Sequence, residues 1–195
     1  MTRGRPLTFN PDQAVQSAMQ VFWSRGYDSA STRDLLAAMG LSRSSLYQAF
    51  GNKEQLFVDA LRRYREALLD RLRQHQARAP TAYAFFEGLF RATAQDAGSE
   101  RAALGCLIFN SATELGQRDE LAAAEARRSL AAITELFQAA VERGQAEGSI
   151  ALHQDPEVLA TYLTMGMAGL RTLLKSGADR HQIDAATTLI LRALR

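Results

Sequence analysis

Residues 31–55 read STRDLLAAMGLSRSSLYQAFGNKEQ, and this stretch decides the fold. Ser31 with Asp34 three residues later forms a capping-box start, and Leu35, Leu36 and Met39 follow at helical spacing. Gly40 is free to take the left-handed conformation that ends one helix and turns the chain sharply. Ser42 then caps a second short helix whose buried face is Leu46 and Phe50, with Ala49 beside them. Between these apolar positions stand Arg43, Ser44, Ser45, Tyr47 and Gln48, all able to hydrogen-bond. Two short helices, a tight turn and a polar outer face are the makings of a helix-turn-helix whose second helix enters a major groove.

Outward from this stretch, the chain of 195 residues is long enough to bury a sizeable core. Leucine and alanine dominate while β-branched residues and prolines are few, which favours helices. Neither a membrane-length apolar run nor a signal-peptide core is present, so a cytoplasmic location without membrane attachment is expected. The net charge of +2 decides little. Residues 1–53, however, set six cations (Arg3, Arg5, Arg25, Arg33, Arg43, Lys53) against three anions (Asp12, Asp28, Asp34), a basic bias suited to phosphates. The single cysteine, Cys106, excludes an intramolecular disulfide and a cysteine-rich zinc site. His75, His153 and His181 lie too far apart for ligand spacing, so neither metal nor cofactor is expected.

Taken in order, Met1 to Phe9 is a basic arm with Arg3 and Arg5, read either as a disordered terminus or as a contact to phosphates or a minor groove. Asn10-Pro11-x-Gln13 starts a helix whose stripe of Ala14, Val15, Ala18, Met19, Phe22 and Trp23 is core, with Trp23 read as packing. Asn52-x-x-Gln55 starts a helix kept in phase by Leu56, Phe57, Leu61, Tyr64, Leu68 and Leu72 to about Ala77, or roughly 38 Å. Its arginines 62, 63, 65, 71 and 73 read as a mostly solvated face. Further helices are expected near 83–93, 106–115, 120–145, 155–176 and 180–194, with residues 96–103 as a loop. An all-α chain of about nine helices follows. Residues 1–55 form a three-helix DNA-binding head, and residues 56–195 a helical ligand-binding and dimerisation domain.

The run Leu41-Ser42-Arg43-Ser44-Ser45-Leu46-Tyr47, then Phe50, then Asn52-Lys53-Glu54-x-Leu56, resembles the DNA-binding domain of the TetR family of bacterial transcription regulators. A plain helical hairpin is the competing reading, but it would leave Tyr47 exposed without purpose on a helix of barely two and a half turns. The resemblance implies that Arg43, Ser44, Ser45 and Gln48 face base edges, and that Tyr47 and Lys53 hold phosphates. Thr32, in the first turn of its helix, approaches a phosphate because helix N-termini attract anions. Arg43 alone among them can pair bidentately with guanine.

The helices at 155–176 and 180–194 resemble the pair with which this family forms a homodimer. Independently, the first is apolar nearly all round and needs cover on more than one side. Two-fold symmetry implies double-stranded DNA with a palindromic operator. The family also implies an unidentified small-molecule effector. Candidates to line its pocket are Phe86, Phe90, Phe109, Tyr162, Met165 and Met167, with Asn110, Thr113 and Glu114 as inward polar groups. Gly105-Cys106-Leu107-Ile108-x-Asn110 resembles the run in members that sense electrophiles or oxidants, such as the N-ethylmaleimide-reductase repressor group. A helix N-terminus favours the reactive thiolate, and Lys175, one of two lysines, is the candidate neighbouring amine. A buried structural thiol is the alternative. An enzyme with Cys106 as nucleophile would need a histidine base, but His75, His153 and His181 all belong to predicted peripheral segments, so no catalysis is expected, and a protein-binding helical adaptor is the remaining class.

Overall fold

The computed structural model describes residues 9–118 and 120–195, and within them every regular element is a helix. The arm residues Arg3 and Arg5 lie outside the described residues. Three short helices build the head: α1 (Pro11–Arg25), α2 (Thr32–Met39) and α3 (Arg43–Phe50). Asn10 Oδ1 accepts from the amides of Asp12 and Gln13 at 2.9 and 3.3 Å, which fixes the start of α1. The head closes around Phe22, Leu35, Leu46 and Phe50, all buried.

Helix α4 (Lys53–Arg78) runs from the head into the rest of the molecule, as its uninterrupted stripe requires. Its first turns belong physically to the head: Phe57 meets Phe22 edge-on at 5.0 Å and Tyr27 at 4.8 Å. Further along, the helix packs on α8 (Leu121–Ala146), which in turn packs on α9 (Pro156–Lys175). Helix α5 (Ala82–Gln95) lies against α10 (Arg180–Arg192), and α7 (Leu107–Leu115) against α8.

Two expectations change. Residues 96–103 are not wholly a loop, because Ser99 accepts from the Ala102 amide at 3.1 Å and buries Ala102 in a five-residue helix, α6 (Glu100–Leu104). Nor is the whole basic run of α4 a solvated face, although Arg71 and Arg73 are exposed as expected. Arg62 and Arg65 both pair with Glu125, a buried carboxylate on α8, and Arg63 reaches Asp12 of α1 at 2.8 Å. A buried charge must be paired, so Glu125 binds α4 to α8 through two guanidiniums.

Candidate nucleic-acid interface and effector cavity

The turn between α2 and α3 is built as the sequence demands. The Ser31 hydroxyl accepts from the Asp34 amide at 3.1 Å and the Asp34 carboxylate accepts from the Ser31 amide at 3.2 Å, closing the box. The Ser31 hydroxyl also holds the Asp34 carboxyl below its usual range, with help from Arg25 at 2.7 Å. Gly40 adopts φ 65°, and the Leu41 amide donates back to Leu36 O at 3.1 Å, a helix stop that a side chain at position 40 would strain. Ser42 then starts α3 by accepting from the Ser45 amide at 3.2 Å.

Leu46 and Phe50 turn inward, and Arg43, Ser44, Tyr47 and Gln48 are left exposed on the opposite side. Ser45 is half-buried, and the hydroxyls of Ser44 and Ser45 each lie 2.9 Å from Ser42 Oγ. Arg43 and Gln48 are therefore the side chains of this face with long reach and no hydrogen bond within the described residues. Tyr47 keeps 48% of its surface exposed. Thr32 is half-buried at the N-terminus of α2. Lys53 folds back, its ammonium 4.7 Å above the Tyr27 ring and 3.4 Å from Asp28 O. An ammonium carries three donors, so two of them remain.

The link between α1 and α2 is held from the other domain. Glu114 of α7 accepts from the amides of Tyr27 and Asp28 at 2.9 and 2.8 Å, while Arg118 grips the Asp28 carboxylate bidentately at 3.1 and 2.9 Å. The Arg118 hydrogen bonds hold the Asp28 carboxyl below its usual value. Gly26, at φ 81°, leaves room for the Glu114 carboxylate, which a Cβ there would meet at 2.8 Å. Glu54, one residue into the motif's Lys53-Glu54 pair, accepts from the Ala122 amide at 3.2 Å and so caps α8 from the head side.

Cys106 is the N-cap of α7 and is buried, 6% exposed. It lines a cavity of about 60 Å³ whose walls include Trp23, Tyr64, Phe109, Ile133, Phe137 and Met167. The Tyr64 hydroxyl donates to Cys106 Sγ at 3.6 Å. Burial, and then the thiol beside it, push the Tyr64 phenol well above its ordinary value, so it stays protonated and remains a donor to sulfur. Trp23 stacks edge-on against Tyr64 at 5.1 Å and donates its indole N–H to Gly105 O at 3.2 Å. Expected only to pack, Trp23 in fact joins α1 of the head to the residue preceding the cysteine.

Several sequence-predicted lining residues are placed elsewhere. Phe86 and Phe90 are wholly buried in the core, Phe86 against Phe85 and Phe137, because α5 is covered by α8 and α10. Tyr162 and Met165 point outward on α9, 38% and 63% exposed, since the inner side of that helix is taken by Leu163, Met167, Leu170 and Leu174. Asn110 is turned to its own loop, donating to Leu104 O at 2.8 Å, and Thr113 is exposed, donating back to Phe109 O. With Arg25, Glu114 and Lys175 they border an open cleft of about 410 Å³ between α1 and α7. The Lys175 chain passes close to Gly105. Of the predicted set, Cys106, Phe109 and Met167 share the smaller cavity.

Comparison with known proteins agrees with this architecture. The family model for bacterial regulatory proteins of the tetR family matches residues 14–60, and that for the tetracyclin repressor-like C-terminal domain matches residues 81–190. The HTH-type transcriptional repressor ComR of Escherichia coli is 33% identical over 198 residues, covering 97% of this chain and 92% of that protein. The HTH-type transcriptional repressor DhaR of a Mycobacterium species is 27% identical, covering 92% and 89%. Among solved structures, a cysteine mutant of the TetR family regulator CifR in complex with 26-base-pair operator DNA superposes with a TM-score of 0.83 at 34% identity, covering 98% of this chain and 100% of that one. Reduced NemR of Escherichia coli has a TM-score of 0.85 at 18% identity, covering 94% and 96%, a likeness of fold. The chain belongs to the TetR family of DNA-binding transcriptional regulators.

Proposed function

We propose that this protein is a cytoplasmic, non-enzymatic repressor that binds a palindromic operator as a homodimer and is released when an effector enters the Cys106 cavity or modifies the thiol. One observation carries the reading: Arg43, Ser44, Tyr47 and Gln48 are exposed together on a short, capped helix held in place by buried Leu46 and Phe50. In this reading Arg43 and Gln48 reach base edges, with Ser44 and Ser45 closer to the helix end. Tyr47, Lys53 and the N-terminus of α2 at Thr32 hold phosphates. The names of ComR and DhaR as repressors, and the operator complex of CifR, support it.

The dimer is supported by an exposed apolar stripe. Val158, Tyr162, Met165 and Leu173 share one side of α9 with Gly169, at successive intervals of three or four residues, and Leu189 of α10 is exposed too. Contiguous apolar surface of this kind marks an interface. A Cβ at Gly169 would meet nothing within 4 Å among the described residues, which leaves room for a facing helix, whereas one at Gly166 would meet the Ile190 side chain of the same chain at 3.1 Å.

Release works through Trp23 and α4. Both Trp23 and Tyr64 border the cavity, one on α1 and the other on α4, so a group placed on or beside Cys106 pushes on the two helices that carry α3. The bound state needs only to differ in DNA affinity for this to switch transcription. A second reading, in which an apolar effector binds without covalent chemistry and Cys106 is structural, is favoured by the burial of the thiol and its bond from Tyr64. Operator release by quinones, aldehydes or hypochlorite separates the two. The primary reading expects Cys106→Ala to abolish release, and release by that variant refutes a sensing thiol.

A further inference from the structure

The cavity lined by Cys106 has buried apolar walls and two exposed cations. Phe109, Ile133 and Phe137 are buried, while Arg71 of α4 and Arg101 of α6 line the same cavity and are exposed. A third guanidinium there, Arg171, is already committed to Asp96 at 3.1 Å and Thr93 at 3.3 Å. Arg71 and Arg101 form no ion pair among the described residues. Two unpaired guanidiniums from separate helices therefore border one small apolar chamber.

We propose that this pocket selects a ligand carrying an anionic group, a small organic acid whose apolar end enters toward Phe109 and Phe137 and whose carboxylate is held by Arg71 and Arg101. The proposal rests on this cavity being the effector site. A chamber of about 60 Å³ buries little apolar surface, so a neutral ligand gains little from it. A carboxylate gains from both guanidiniums, which bind such groups bidentately. Each is worth roughly fivefold at about 8 Å and an effective dielectric of about 40. Arg101 also lies four residues before Gly105, the carbonyl that receives the Trp23 indole. An anion that draws Arg101 inward thus moves the segment on which the head leans.

The test compares iodoacetate with iodoacetamide at the single cysteine. In both reactions the thiolate sulfur displaces iodide: the C–S bond forms, the C–I bond breaks and iodide leaves with the bonding pair. The rate ratio of the charged to the neutral reagent is measured in the native protein and in the same chain unfolded in urea, which removes the intrinsic difference between reagents. We expect the native ratio to exceed the unfolded one by at least about fivefold, to fall with added salt, and to revert to the unfolded value in the double variant Arg71→Gln, Arg101→Gln. A native ratio equal to the unfolded one, or one untouched by the double variant, overturns the proposal. If neither reagent labels the native thiol, the sensing role of Cys106 fails by itself, and equilibrium binding decides the proposal. Trp23, the one tryptophan and a cavity wall, then reports titration with hexanoate against hexanamide. Saturable binding of hexanoate that the double variant loses supports anion selection. Equal response to the amide, or response to neither, overturns it.

Discussion

Replacing Glu114 by alanine tests how the head is coupled to the rest of the molecule. Its carboxylate accepts two backbone hydrogen bonds, from Tyr27 at 2.9 Å and Asp28 at 2.8 Å, across 87 and 86 residues of sequence. Hydrogen bonds to a charged acceptor contribute about 1.5–3 kcal/mol each, and the lower end applies to the exposed Asp28 amide. Loss of both comes to about 3–4.5 kcal/mol. For a chain of this size that corresponds to a fall in Tm of roughly 6–18 °C. Glu114→Gln keeps one carbonyl acceptor and loses the charge, so it should fall between alanine and wild type. Calorimetry measures the midpoint, and hydrogen exchange at the Tyr27 and Asp28 amides measures the clamp itself. Faster exchange confined to the α1–α2 link, with the α8 core unchanged, is the expected signature. Unchanged exchange at both amides together with an unchanged midpoint would refute the coupling.

Other consequences follow from the same geometry. Lys53→Ala should weaken binding to every duplex alike and lower the salt slope by about one, because the proposed function assigns its remaining donors to phosphate rather than to bases. Isothermal titrations at several salt concentrations check this. Arg118→Ala should lower Tm by an amount that depends on pH with a defined sign. The Asp28 carboxyl is held below its ordinary value near 3.8, so the pair stabilises above that value and the stabilisation is lost as pH falls through the lowered one. The Tm difference between wild type and variant should be constant above about pH 5 and shrink below about pH 4. A difference that grows on acidification would contradict the pairing. Phe137→Ala, which removes a ring meeting Phe86 at 5.3 Å in the core, should cost about 3–5 kcal/mol by denaturant titration.

The parts legible in the sequence were those written in local chemistry. Ser31 with Asp34, Gly40 and Ser42 each act on backbone groups within five residues, so their spacing alone specifies the helix-turn-helix. Helix α6 was harder to see because a single Ser99 cap over five residues leaves no periodicity to count. The contacts that join head to body, such as Glu114 to Tyr27 and Trp23 to Gly105, span more than eighty residues and have no local signature. The same limit governed the effector residues. Phe86, Phe109 and Met165 show the same helical apolar spacing, yet one is core, one lines the cavity and one faces outward. Periodicity identifies a covered face but not what covers it. An indole N–H in an otherwise apolar stripe was the available hint for Trp23, since it needs an acceptor when half-buried.

In the proposed function the face of α3 reads an operator and Arg43 carries base preference. This is tested most directly by titrating wild type and Arg43→Ala against a palindromic duplex from the DNA upstream of the protein's own coding sequence, and against a scrambled duplex, at physiological salt. Wild type should prefer the palindrome, and Arg43→Ala should lower affinity for it by roughly 5- to 150-fold per half-site while scarcely changing binding to the scrambled duplex. Equal affinity of wild type for both duplexes, or an equal loss on both in Arg43→Ala, would contradict it.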